Sequence, residues 1–432
     1  MALSTKFTSF NTGTGAAGST VDVTLGFQPK AFIVWWSGRT ETVDTVGRAD
    51  SHIGIGLGVS STQRVCACWS RDDANAAETG AMVMESDQII ARLTVAGVDN
   101  GKMDVDATAN WPSNGIRFIV DTQFGASMRI HILAWGGDDI TNTFVGRTTP
   151  STTVCNNVDQ TAPGFLGDIV FFVASNYSSF DSIQTTRASM NFGAAISATK
   201  QAINLCMFDP GSGTGDGGQY CFDGSECMGS IDTANPTIVG QRYDFVQMLA
   251  NGYRIHNTEG TSTRPHGYLV IKGGQWDMGN VLTKTDTTTD ITGAPALNGQ
   301  TPTAIVFSSA CRAESVVDAG TTPTRWSLGG ATSATEEGAM AEHGEQGSGN
   351  TRVGTAVEHD SCYINLADVA ADPDAQTIQG LMHVTATGAN SFTCRMTDAD
   401  PAENFVWWVA TGPNAAVGGD ELLQSRRMMS VP

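Results

Sequence analysis

The chain has 432 residues, with 24 Lys and Arg against 44 Asp and Glu; the resulting net charge of −20 opposes a nucleic-acid surface, which needs clustered cations. The length exceeds one ordinary core and corresponds to roughly three domains. Only 16% of residues are charged, while 49 Gly and many Thr, Ser and Ala describe short strands joined by many turns.

Residues 5 to 25 read as an opening strand around Phe7 and Phe10, a Gly/Ser turn, and an alternating strand at Val21–Leu25. The organising stretch follows: Gly26-Phe27-Gln28-Pro29-Lys30-Ala31-Phe32-Ile33-Val34-Trp35-Trp36. Weaker copies open at Gly164 and Gly299, 138 and 135 residues further on, each with its apolar run five residues after the Gly (Ala31, Ile169, Ala304). A fixed period of this kind sets the architecture. In all three copies a small polar turn leads into a further strand, at Ser60-Ser61-Thr62, Ser197-Ala198-Thr199 and Ser333-Ala334-Thr335. A loop rich in Asp, Glu and Gly comes next, at Arg71 to Gly80, Asp209 to Gly218 and Glu342 to Gly349, expected at the surface. A closing hairpin starts near Asn114, Asn251 and Asn390 and ends in an apolar strand. Matching Ile132, Leu269 and Val406 in that strand gives a step of 137 residues twice.

Each repeat therefore starts near residues 5, 142 and 280. The pattern predicts an all-β chain of three tandem β-sandwich domains, jelly-roll-like or elaborated immunoglobulin-like, over 1–140, 141–279 and 280–413. A C-terminal arm covers 414–432, with Arg426, Arg427, Met428 and Met429 in a segment suited to reaching a neighbouring subunit. Ser189 to Lys200 and Ile364 to Gln379 contain helix-compatible residues without helical apolar spacing, and Pro373 interrupts the second.

The sequence carries few signals of chemistry. The seven histidines are scattered, with no recurring metal-ligand or His–Asp spacing; His131 lies in an apolar strand, as a core residue would. No nucleophile elbow or phosphate loop is present. The nine cysteines lack a double CxxC pattern, and Cys66 and Cys68 share one strand face, so free buried thiols are expected. The alternating Asp and Gly of 209–218 could hold calcium, although a solvated loop is the simpler reading. Asp72, Asp73, Glu78, Glu342, Glu345, Glu358 and Asp360 read as solubilising surface charges. The pairs Trp35-Trp36 and Trp407-Trp408 place one ring on each strand face: one for the core, the other for a neighbour, an interface or a glycan. No enzyme activity, cofactor or metal is expected, and no membrane or nucleic-acid partner.

The Gly-Phe-Gln-Pro-Lys-Ala opening with its Trp-Trp run, the strand Ile53-Gly54-Ile55-Gly56-Leu57-Gly58, the Ser-Ser-Thr-Gln-Arg-Val turn and the closing Arg-Ile-His-Ile-Leu-Ala-Trp-Gly-Gly together resemble a repeat of uncharacterised tailed-bacteriophage proteins. The second repeat keeps Gly-Phe but has Leu166-Gly167 for Gln28-Pro29, and the third has Gln300 for the Phe. The resemblance implies a virion structural protein and brings no catalytic residues.

These readings combine into one expectation: a structural or decoration protein exposed on capsid or tail, binding other virion subunits and able to self-associate. It would assemble in the host cytoplasm and leave with the particle, consistent with a chain showing neither a signal sequence nor an apolar run of about 18 residues. The alternative is a receptor- or glycan-binding adhesin of the phage tail; a polysaccharide hydrolase would need paired carboxylates in a groove, which nothing in the sequence selects.

Overall fold

The structure, a computed structural model, describes residues 2–39, 45–48, 50–72, 80–150, 153–175, 179–185, 188–209, 216–231, 239–260, 264–312, 318–319, 324–345, 352–369 and 372–415. They are almost entirely β. The first unit contains β1 (Leu3–Asn11), β2 (Thr20–Thr24), β3 (Ala31–Trp36), β4 (Thr45–Arg48), β5 (Ser51–Ser60), β6 (Gln63–Arg71), β7 (Gly80–Glu85), β8 (Ile90–Leu93), β9 (Asp99–Val105), β10 (Gly115–Thr122) and β11 (Arg129–Gly137). The second contains β12 (Ile140–Thr148), β13 (Asn157–Gln160), β14 (Ile169–Ala174), β15 (Ala188–Ser197), β16 (Lys200–Asp209), β17 (Asp216–Asp223), β18 (Met228–Ile231), β19 (Val239–Leu249), β20 (Gly252–Glu259) and β21 (His266–Gly273). The third contains β22 (Gln275–Leu282), β23 (Asp290–Gly293), β24 (Ala304–Ser309), β25 (Asp318–Ala319), β26 (Thr324–Ser333), β27 (Glu336–Glu345), β28 (Arg352–Glu358), β29 (Tyr363–Val369), β30 (Asp372–Gly388), β31 (Ser391–Asp398) and β32 (Phe405–Gly412). The stretch 189–200 is strand and turn, the described residues of 364–379 are strand, and the helical turn at Thr108–Asn110 is a single 3-10 element.

Each unit is a sandwich of one large and one four-stranded antiparallel sheet. In the first, β1-β11-β3-β5-β6-β7 faces β2-β10-β9-β8; the second repeats this as β12-β21-β14-β15-β16-β17 over β13-β20-β19-β18, the third as β22-β32-β24-β26-β27-β28 over β23-β31-β30-β29. Because β22 pairs along β32, the third unit starts at Gln275, five residues before the position expected from sequence.

Gly26, Gly164 and Gly299 have φ of 84°, 76° and 82°, a left-handed conformation that a side chain would strain, although the space beside each is open. This explains why one Gly opens every copy. The Ser-x-Thr turns form equivalent hairpin tips with hydroxyls 3.3, 3.5 and 3.3 Å apart, closing Ser60 on Gln63, Ser197 on Lys200 and Ser333 on Glu336.

The closing strands align differently from the sequence match. Ile33, Phe171 and Val306 are equivalent, and they pair with Leu133, Leu269 and Val409. The match of Ile132 and Val406 to Leu269 is therefore displaced by one and three residues, and an odd displacement sends a side chain to the opposite face. In a strand buried on both sides, hydropathy carries no mark of which face a residue takes.

Both faces of each large sheet are covered. One packs on the unit's own small sheet, giving separate cores around Trp36, Phe172 and Trp408. The other faces inward, where the three large sheets share a single core that includes Trp35, Phe171, Phe192, Leu328 and Trp407. Hence β3, β14 and β24 are buried at every position and read as unbroken apolar runs rather than as alternation.

Three connections close these units into a ring with approximate three-fold symmetry. β4 of the first unit pairs with the edge strand β28 of the third, β25 of the third pairs with the edge strand β17 of the second, and Gln184 of the second bridges Met82 in the edge strand β7 of the first. Each unit thus reaches back to cap the previous unit's exposed edge, satisfying hydrogen bonds that an open edge would offer to foreign strands. Trp135, Phe171 and Trp276, one ring from each unit, meet with centroids 5.6–6.1 Å apart. The Asp139 carboxylate accepts from the amides of Leu3 and Asn414, both at 3.0 Å, tying the start of the first unit to the end of the third.

Candidate functional site: inter-unit seams and an outer cleft

The four tryptophans singled out from sequence are all buried: Trp35, Trp36 and Trp407 are 0% exposed and Trp408 4%. Trp36 and Trp408 fill their own units. Trp35 and Trp407 lie in the shared core, where Trp407 stacks on Phe192 at 5.5 Å and the Trp35 ring fills the space above Gly330, 2.8 Å from where a Cβ would stand there. They are interface residues, but between units of one chain, and none presents a ring for a glycan. His131 is buried between Phe7 and Trp35, with desolvation lowering its pKa to about 3, so it stays neutral. Arg426, Arg427, Met428 and Met429, Asp73 and Glu78, and residues 210–215 of the calcium-loop candidate lie outside the described residues.

Two acidic residues read as surface charges are interior. Glu342 is 3% exposed and Glu358 6%. Glu342 accepts from the Ser51 hydroxyl at 2.8 Å and faces the buried Arg71 at 3.5 Å, across the boundary between first and third units; burial still raises its carboxyl pKa. The cation that accommodates Glu342 comes from another repeat, and nothing local in β27 signals it.

The seams follow one plan with different chemistry. Gln63, Lys200 and Glu336 are equivalent, each opening the second strand of its hairpin and each facing the first strand of the next unit around the ring. Gln63 accepts from the Val145 amide at 3.2 Å, Lys200 pairs with Asp277, and Glu336 pairs with Lys6. Lys6, Phe144 and Asp277 are themselves equivalent by pairing. The two charged seams therefore have opposite polarity.

On the outer sheets one pair recurs in every unit. Asp22 and Arg117, Asp159 and Arg254, and Asp290 and Arg395 are directly opposed across the ladder, with Nε–Oδ1 distances of 2.6, 2.5 and 2.9 Å. Such exposed pairs add little stability. The signal overlooked in the sequence is a recurring Asp-x-Thr at 22, 159 and 290.

The second unit differs beside its fork. A cleft of about 520 Å³ opens between the β15–β16 turn, the segment before β18, and β19–β20; its polar lining includes Gln201, Glu226, Arg242, Asp244, His256 and Thr258. Asp244 lies directly opposite His256 in the ladder. Burial raises the Asp244 carboxyl pKa, with His256 and Arg242 acting against the shift; Glu226 is raised too, chiefly by burial. Arg242 donates to Glu259 at 2.6 Å and to Glu226 at 3.3 Å. A separate trio, Glu85, Asp87 and Asp181, gathers carboxylates at the boundary of first and second units, but Glu85 pairs with Lys102 at 2.9 Å and Asp181 accepts from Ser86.

No protein-family model matches the chain, and no similar sequence is found among curated proteins. Among the described residues, no helix is long and apolar enough to cross a membrane.

Proposed function

We propose that the protein is a non-enzymatic structural component of a bacteriophage virion, exposed on capsid or tail, where its outer sheets bind other virion subunits. The closed ring of three β-sandwich units carries this reading. A single chain that encloses its three large sheets in one core and caps their edges forms a rigid block with outward faces distributed about an approximate three-fold axis. The units have diverged, so those faces differ, as a protein contacting inequivalent neighbours requires. Capped edges also suit a component present at high local concentration, because they discourage uncontrolled strand pairing.

Purified particles test the reading. Mass spectrometry should detect the chain at stoichiometric level, immunogold should label it on intact particles, and a particle reconstruction should contain density for a three-lobed β body on the exterior. Absence of the chain from purified particles would overturn the proposal.

A further inference from the structure

The cleft of the second unit has a counterpart in the first, and the two differ in one informative respect. The Arg117 and Arg254 forks align the outer sheets, which makes Ile119 equivalent to His256 and their cross-strand partners Asp104 and Asp244 equivalent. On the large sheets, the aligned ladders make Arg64 equivalent to Gln201. In the first unit the Arg64 guanidinium spans the gap and grips Asp104 in a two-pronged fork, Nε–Oδ1 and Nη2–Oδ2 both 2.6 Å. In the second unit the shorter Gln201 turns away: its amide donates to the Ala198 carbonyl at 2.8 Å, and its carbonyl accepts the Phe245 amide at 2.7 Å. Among the described residues of the second unit none takes the place of that guanidinium, and the space beside Asp244 is the cleft.

We propose that this cleft is a docking site for an arginine side chain of a partner protein, which supplies to Asp244 in trans the guanidinium that Arg64 supplies to Asp104 in cis. A planar fork donor matches a carboxylate in two parallel hydrogen bonds, and a partly desolvated carboxylate gains more from such a partner than one in water. Glu226 on the same wall provides a second acceptor for the remaining guanidinium N–H groups, and the neighbouring Arg242 is already engaged by Glu226 and Glu259. The net acidity of the chain, −20, favours approach of a basic surface. This inference concerns the second unit alone and goes beyond the virion reading.

The test titrates the full chain with Nα-acetyl-arginine methylamide and, as the uncharged isostere, the corresponding citrulline compound. Binding is followed by calorimetry and by the NMR signals of 15N-labelled histidine, with His256 as the local reporter. The arginine compound should bind saturably with a Kd in roughly the millimolar range, and the citrulline compound roughly tenfold more weakly or not at all. Asp244→Asn should weaken arginine binding by about tenfold. Gln201→Arg should abolish it by filling the cleft from within, with an unfolding temperature equal to or above that of the parent, which separates loss of the site from loss of fold. Equal binding of the two compounds, or arginine binding that survives Gln201→Arg in a folded chain, would overturn the inference. These results are independent of whether the chain is found in particles.

Discussion

Individual residues in this protein behave according to what encloses them. Eight of the nine cysteines are buried, several with thiol pKa values pushed well above their ordinary range by desolvation, and Cys155 alone is exposed. Since the thiolate is the reactive form, native protein treated with an aromatic disulfide reagent should show one fast thiol, lost in Cys155→Ser, and nine after denaturation. More than one fast thiol in native protein would contradict the burial pattern. Glu337 gives a pH signature. Burial raises its pKa to about 9, although its carboxylate accepts the Val384 amide at 2.9 Å. The folded state thus holds this proton more tightly than the unfolded chain does. The group imposes no cost below the ordinary carboxyl pKa near 4.5, and a growing cost as pH climbs toward 9. Glu337→Gln should therefore stabilise by about 1–3 kcal/mol at pH 8 and far less at pH 5, read by denaturant unfolding. An equal gain at both pH values would refute this account.

At the scale of elements, the glycine-alternating strand β5 is a seat for rings. A Cβ on Gly54 would stand 1.9 Å from Trp36, and one on Gly58 2.4 Å from Phe32, so the glycine face lets the β3 aromatics lie flat between strand and small sheet. Gly54→Val should cost about 3 kcal/mol or more through overpacking, and adding Trp36→Leu should recover part of the loss. The repeat pattern was legible because it lives in such elements: turn glycines, Ser-x-Thr tips and apolar runs are local consequences of local geometry. The closing-strand register was not legible, because both faces are buried and a slip leaves the hydropathy unchanged. The interior placement of Glu342 was hidden for a different reason, since its cation Arg71 lies in another unit.

For the whole molecule, the seams specify how the units are arranged. Opposite polarity at Lys6–Glu336 and Lys200–Asp277 means that exchanging the second and third units would oppose Lys200 to Lys6 and leave Glu336 and Asp277 without their cations. Glu336→Lys should destabilise by about 0.5–1 kcal/mol, and the added Lys6→Glu should restore most of it; a double-mutant cycle with no coupling would show that the seam pairs carry no specificity. The shared core makes a broader prediction. A fragment of residues 1–139 would expose the inward face bearing Ile33, Trp35, Ile55, Trp69 and Leu133. It should sediment as a trimer or larger assembly rather than as a monomer, since no other surface of the fragment can cover that face. A soluble, stable monomer would mean that the units are independent domains joined only in sequence.

The sequence by itself determined the β class, the three-fold repetition, the turn that opens each copy and the burial of the apolar runs, because each is fixed by interactions within a few residues or by a period of strands and turns. Only the tertiary structure decided that the three sandwiches share a core, that each unit caps another's edge, and that Trp35 and Trp407 face the shared core while Trp36 and Trp408 face their own. It also decided that Arg64 forks Asp104 while, among the described residues, no guanidinium forks the equivalent Asp244. These features depend on contacts between residues far apart in the chain, and one strand's hydropathy is the same whether its second face meets its own unit or a neighbour.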